Sequence, residues 1–182
     1  MRNFDYCAYT YRHRKALVYT INKIIKDENV KNIMLEKAKI HDMDKMVLYL
    51  FIEKSVASDY HRRTASHHVN SEAEKTYYDY LEAVLDYECA GYTKPDKPYN
   101  VFDIINIFHD SGRFDDKITE KLLNITKELG INYSYSVTED VEGMNYMKQF
   151  EEVTEEMILA EVLEYVDTNR NNVFHFWNSN KI

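Results

Sequence analysis

The sequence predicts an all-α fold, a single helical bundle. Two observations carry that reading. Glycine and proline are scarce, 4 and 2 among 182 residues, whereas all-β folds need turn residues at every reversal. Apolar residues also recur in steps of three and four along most of the chain, the period of a helix buried on one face. The length suffices for one domain with a real core. The expected division is a helical core over residues 1–110 and a helical extension, 111–182, packed on it.

The first helix is expected over residues 5–27. Tyr9, His13, Leu17, Ile21 and Ile24 lie on one face of it, so His13 points inward with the apolar stripe. A short second helix spans 30–39, with Ile33, Met34 and Ala38 inward. A third begins near Met43 and turns Met46, Val47, Leu50 and Phe51 to the core. Residues 56–70 are polar and read as a surface loop, yet they hold His61, His67 and His68, three histidines in eight residues.

Ser71 to Glu74 has the form of a capping box, so a fourth helix is expected from there to Ala90, ending at Gly91. Its inward positions are Tyr77, Leu81, Val84 and Leu85. Asp79, Glu82 and Asp86 share one flank of it. Asp79 reads as solvated. Both prolines lie in the following stretch, 93–98, a fixed loop that carries Lys94 and Lys97.

Asn100 and Asp103 mark a fifth helix with Val101, Ile104, Ile105 and Phe108 inward. His109-Asp110 reads as its termination. A sixth helix covers 115–129, with Ile118, Leu122 and Ile125 inward, and stops at Gly130. Residues 131–137 alternate apolar and polar, which allows a short strand or hairpin arm. Thr154 caps a last helix with Ile158, Val162 and Tyr165 inward. The tail Val173-Phe174-His175-Phe176-Trp177 is apolar enough to dock on its own domain or on a partner, which leaves a homodimer open.

Composition excludes several classes. The net charge of −8 gives no footprint for an extended nucleic-acid contact. Cys7 and Cys89 form no CxxC motif and read as buried free thiols. No apolar signal region opens the chain, and no run approaches the ~20 apolar residues of a membrane span, so a cytoplasmic protein is expected.

The chemistry gathers around Lys39-Ile40-His41-Asp42-Met43-Asp44-Lys45. Asp42 sits where a helix N-cap would, and capping is compatible with ligation because a carboxylate has two oxygens. A lone inward His13 would be an ordinary buried histidine. The ordered company of His41-Asp42, His61, His67-His68, Glu82 and Asp86 shifts the reading to a divalent metal site. One of His67 and His68 is expected to ligate and the other to meet substrate or a supporting carboxylate. Mixed imidazole and carboxylate donors suit Mn, Fe, Co, Ni or Zn better than calcium.

This order resembles the HD-domain superfamily of metal-dependent phosphohydrolases, an all-helical fold with an early His, a His-Asp doublet and a later Asp. Here these fall on His13, His41, Asp42 and Asp86, and Lys45 fits the HDxxK form of several branches. A closer resemblance is to a family of short, uncharacterised bacterial and phage proteins. They carry an early His, HDxxK, a His followed by HH, and a Glu four residues before an Asp. The match covers roughly residues 1–98.

The resemblance implies a phosphohydrolase for a nucleotide or another small phosphorylated metabolite. It implies His13, His41, Asp42 and Asp86 as ligands, with His61, His67 and His68 available for a second ion. The gap from His61 to His67 is shorter than in two-metal branches, so one or two ions remain open. The metal would lower the pKa of a bound water from about 15.7 toward ~7. Glu82 would orient that water or a ligand histidine, while Lys45 and one of His61, His67 or His68 would neutralise phosphate charge. Arg62, Lys94 and Lys97 are candidates for substrate contact. Two other readings share the fold: a non-catalytic interaction module with an HD-like core, and a di-iron oxygenase.

Overall fold

The computed structural model describes residues 1–94 and 96–169, so the apolar tail at 173–177 and Pro95 lie outside the described residues. The chain is all-α. The helices are α1 (Phe4–Ile24), α2 (Glu28–Ile40), α3 (Met43–Tyr49), α4 (Lys54–Thr64), α5 (Tyr77–Thr93), α6 (Val101–Asp110), α7 (Asp116–Glu128), α8 (Val141–Lys148) and α9 (Glu155–Thr168), with a 3-10 turn at Val137–Glu139. Among the described residues no helix is long and apolar enough to cross a membrane.

The long helices α1 and α5 pack against each other and divide the interior in two. The C-terminal half of α1 contributes Ala16, Leu17 and Ile21 to a core shared with Met34 and Ala38 of α2, Leu81 and Leu85 of α5, Ile105 of α6, Leu122 of α7 and Met147 of α8. The N-terminal half contributes Cys7, Ala8 and Tyr11 to a second core with Met43, Met46 and Val47 of α3, Ala57 of α4, and Ile158 and Val162 of α9. Residues beyond 110 therefore complete both cores. His13, midway along α1, falls on the seam between them.

Local chemistry explains the helix limits. Asp27 caps α2 by accepting from the backbone amides of Asn29 and Val30, Asp115 caps α7 through Ile118, and Thr154 caps α9 through Met157. Gly130 follows α7 with φ 68°, a conformation that glycine adopts without a side-chain penalty.

Several expectations are corrected. No strand forms at 131–137. Asn100 donates to the carbonyls of Tyr133 and Tyr135, at 3.4 and 2.7 Å, and Ser134 bonds to Asn132, so these backbone groups are satisfied without a ladder partner. The polar stretch at 56–70 is not all loop, because α4 runs through it and buries Ala57, Ser58 and His61. Helix α5 starts at Tyr77 rather than Ser71, since the capping box that forms is Thr76 with Asp79. It also continues past Gly91 to Thr93. Helix α8 has no counterpart in the sequence reading. Ile33, Phe51 and Tyr77, expected inward, are 38%, 56% and 49% exposed.

Candidate metal centre

Four elements deliver the centre to the seam. Helix α1 supplies His13, the α2–α3 junction His41 and Asp42, the last turn of α4 His61, and α5 Glu82 and Asp86. The turn after α4 adds His67 and His68. Five of the chain's seven histidines thus share one neighbourhood. Ring centroids lie 5.7 Å apart for His13 and His41, 4.3 Å for His41 and His67, 4.8 Å for His61 and His68, and 4.5 Å for His67 and His68.

The junction explains how His41 and Asp42 both turn inward. Helix α2 ends at Ile40, and Asp42 takes a left-handed conformation with φ 59°. Outside glycine this conformation is uncommon and costs backbone energy, although Asp tolerates it better than most residues. Asp42 stands at the N-cap position of α3 but makes no capping hydrogen bond. Its carboxylate pairs instead with Lys45, one turn into α3. Arg14 holds the end of α2 by donating to the carbonyl of Lys39 at 2.8 Å, and it also pairs with Glu161 of α9.

Carboxylates hold three of the histidines. His41 Nδ1 lies 2.8 Å from Glu82 Oε1. His61 Nδ1 lies 2.9 Å from both oxygens of Asp44. His13 Nε2 lies 2.6 Å from Asp86 Oδ1. Nε2 of His41 and of His68 is buried with no hydrogen-bond partner, whereas Nε2 of His61 is ion-paired with Asp42 Oδ1 at 2.7 Å. An orphaned buried polar atom typically costs about 1–3 kcal/mol, so the two unpartnered nitrogens are places where a ligand would be favoured.

These clusters could hold a metal ion. Ligand atoms within 4.8 Å of one another form overlapping sets among the described residues: His13, His41 and Asp42; His41, His67 and Asp86; His61, His67 and His68; and His13, Asp86 and Cys89. Every residue named as a ligand from sequence is present in them. His67 and His68 both fall in these sets, where one was expected to ligate and the other to meet substrate or a supporting carboxylate. They lie in a turn, where adjacent rings can share a side.

Electrostatics match this use. Burial works against the charged form throughout. At Asp42 it is outweighed by Lys45, His41 and His61, which hold the carboxyl well below the usual range. Asp86 is held down likewise by His13 and His41. Burial disfavours a charged His41, but Asp42, Asp86 and Glu82 raise it to about 10. His61 is raised to about 9 against its burial by Asp42 and Asp44. Burial lowers His67, helped by His41, and takes His68 down to about 3, helped by His67 and His61.

Two cavities share Asp42 and His61 in their linings. The larger, about 950 Å³, is also lined by His13, Lys45, His68 and Asp86. The smaller, about 410 Å³, is also lined by His41, His67, Glu82 and Tyr165 of α9. Arg62 and Lys94 line the larger cavity. Lys97 is exposed on the loop after α5 and lines neither. His109 bonds to Asp116 at the protein surface, away from the centre.

Two supporting residues escaped the sequence reading. Asp44 orients His61, and Lys37 pairs with Asp79 at 2.8 Å and Glu82 at 2.9 Å. Lys37 precedes His41 by one helical turn, which is a usable signal. Asp44 contacts a residue 17 positions away, which no linear pattern announces. Asp79 is a correction: it is 6% exposed rather than solvated. It accepts from Ser66 at 2.6 Å and from Thr76, and so pins the turn that carries His67 and His68 to α5.

No protein-family model, curated protein or solved structure matches this chain.

Proposed function

We propose that the protein is a metal-dependent phosphohydrolase of HD type, acting on a nucleotide or another small phosphorylated metabolite. The main support is the convergence of His13, His41, His61, His67 and His68 with Asp42 and Asp86, where Nε2 of His41 and of His68 is buried without a hydrogen-bond partner. His13, His41, Asp42 and Asp86 would hold one ion. His61, His67 and His68, with Asp42, would hold a second.

Nitrogen and carboxylate donors favour Mn, Fe, Co, Ni or Zn. A bound divalent ion supplies Lewis acidity to water and to a phosphoryl oxygen. The chain's own residues do the rest. Glu82 and Asp44 fix His41 and His61 with Nδ1 outward, leaving Nε2 for ligation. Lys45 keeps Asp42 ionised and adds positive charge to the larger cavity. That cavity admits a small ester and carries cations to offset phosphate charge.

The test is elemental analysis of protein purified without chelators, followed by a panel of phosphoesters. One or two equivalents of a transition metal, lost in His41→Ala together with hydrolysis, is the expected result. No metal after reconstitution would overturn the reading in favour of a non-catalytic helical module. Retained iron with an oxygen-sensitive optical band and no phosphoester turnover would instead favour an oxygenase.

A further inference from the structure

The larger cavity carries further cations besides those among its His and carboxylate groups. Lys54, Lys94 and Arg113 line it, and all three are exposed. None of them forms an ion pair among the described residues. Each lies over an aromatic ring instead. Lys54 Nζ is 4.8 Å from the Tyr6 ring centre, Lys94 Nζ is 5.6 Å from that of Tyr9, and the Arg113 guanidinium is 4.4 Å from that of Phe108. Arg62 and Arg63 differ, since Arg62 faces Asp59 at 3.3 Å and Arg63 faces Glu72 at 3.8 Å.

An aromatic face holds a cation in place without cancelling its charge. Three uncancelled cations lining one cavity run against a chain of net charge −8. They are also tied to the centre. Tyr6, Tyr9 and His13 line the cavity along one face of α1, and the Tyr9 ring stacks on His13 with centroids 5.9 Å apart and planes 11° off parallel. An ester that reaches both the centre and these cations therefore carries negative charge at two places.

We propose that Lys54, Lys94 and Arg113 form a second anion subsite, and that the substrate is a small ester carrying at least two phosphates, one at the His and carboxylate centre and another on these cations. The inference rests on the phosphohydrolase reading for the first phosphate only; the subsite is legible without it.

The experiment compares calorimetric binding of inorganic tripolyphosphate and orthophosphate to the full-length, metal-free protein. Tripolyphosphate should bind the more tightly, and its affinity should fall with added salt. Lys54→Ala, Lys94→Ala and Arg113→Ala should each weaken it roughly two- to fivefold, the scale of exposed charge pairs, and weaken orthophosphate less. Arg113→Lys should retain most of the affinity. Lys121→Ala, which removes a cation 3.4 Å over the Tyr80 ring and outside both cavities, should change nothing. Equal affinity for the two anions, or tripolyphosphate binding unmoved in the triple alanine variant, overturns the proposal. So does preferential turnover of monophosphate esters by the metal-loaded protein, which would leave the phosphohydrolase reading standing. Binding at the subsite intact with no phosphoester turned over counts against that reading alone.

Discussion

His41 and Glu82 meet at 2.8 Å through Nδ1 and Oε1, and the other imidazole nitrogen, Nε2, is buried without a partner. The carboxylate therefore decides which nitrogen of His41 is presented to the cluster. Glu82 is itself fixed by Lys37. Glu82→Gln keeps the volume but removes the charge that favours Nδ1–H. Such supporting groups are commonly worth about 10–100-fold in metal affinity. A loss of that size is expected in competition with a chromophoric chelator, with Lys37→Met giving a smaller loss. Unchanged affinity in Glu82→Gln would make the contact purely structural.

Metal uptake should release protons. In the metal-free protein His41 and His61 titrate at about 10 and about 9, so both are cationic at neutral pH. A ligand imidazole must be neutral, so the ion displaces those protons, on the order of two at pH 7. Apparent affinity should rise with pH across the neutral range. Titrations in buffers of different ionisation enthalpy read the number directly, and zero release would remove His41 and His61 from the ligand set.

The same shifts set the stability of the metal-free protein. A histidine raised in the folded state contributes stability that is fully present below its unfolded value of about 6.5 and is lost as pH rises through the folded value. Asp42 and Asp86 are depressed, so their contribution is present above about 3.9 and is lost as pH falls. Denaturant midpoints of the metal-free protein should peak between these limits and decline as pH rises through the folded values of His61 and His41. Saturating metal should flatten the alkaline decline, and a decline of equal slope with and without metal would contradict the assignment.

Much of this cluster was legible because its side chains are chemically distinctive and ordered along the chain. His13, His41-Asp42, His61, His67-His68 and Asp86 converge as that order implied. Their supporting contacts were not legible, because Asp44 with His61 and Lys37 with Asp79 are made only by the fold. Strongly amphipathic, well-capped helices such as α6 and α7 read clearly. Helix α4 did not, since it buries little besides Ala57, Ser58 and His61. Helix α8 buries only Gly143 and Met147, too little to leave a period in the sequence. Ser71 and Glu74 imitate a capping box, but the N-cap that forms is Thr76, whose partner Asp79 also takes Lys37 and Ser66.

Gly91 is a packing residue rather than a helix stop. It lies within α5, and a Cβ there would come 2.1 Å from Val137 Cγ2 and 2.7 Å from the Tyr99 carbonyl oxygen. The valine methyl can move, but the backbone oxygen sits next to Asn100, which caps α6. Gly91→Ala should therefore destabilise, despite alanine's better helix propensity, by about 1–3 kcal/mol. At this chain length each kcal/mol lowers the Tm by roughly 2–4 °C. Adding Val137→Ala should recover only part of the loss. A variant as stable as wild type would mean that the loop after α5 yields freely.

Asp42 combines two demands that substitution can separate. Its backbone sits at φ 59°, and its carboxylate lies among Lys45, His41 and His61. Asp42→Asn keeps the tolerance for a left-handed backbone and loses the charge. Asp42→Gly relieves the backbone and loses the whole side chain. Asp42→Ala keeps the strain and loses the carboxylate. All three should lose metal binding if the carboxylate is a ligand. Their stabilities should differ, with Asp42→Ala below Asp42→Gly by about 1 kcal/mol, the usual penalty for a Cβ at positive φ. Chemical denaturation of the metal-free variants measures that difference. Equal stability of the glycine and alanine variants would show that the α2–α3 junction relaxes out of the left-handed region once the carboxylate is gone. The conformation would then be imposed by the Asp42–Lys45 pair and the surrounding imidazoles rather than by the helix packing.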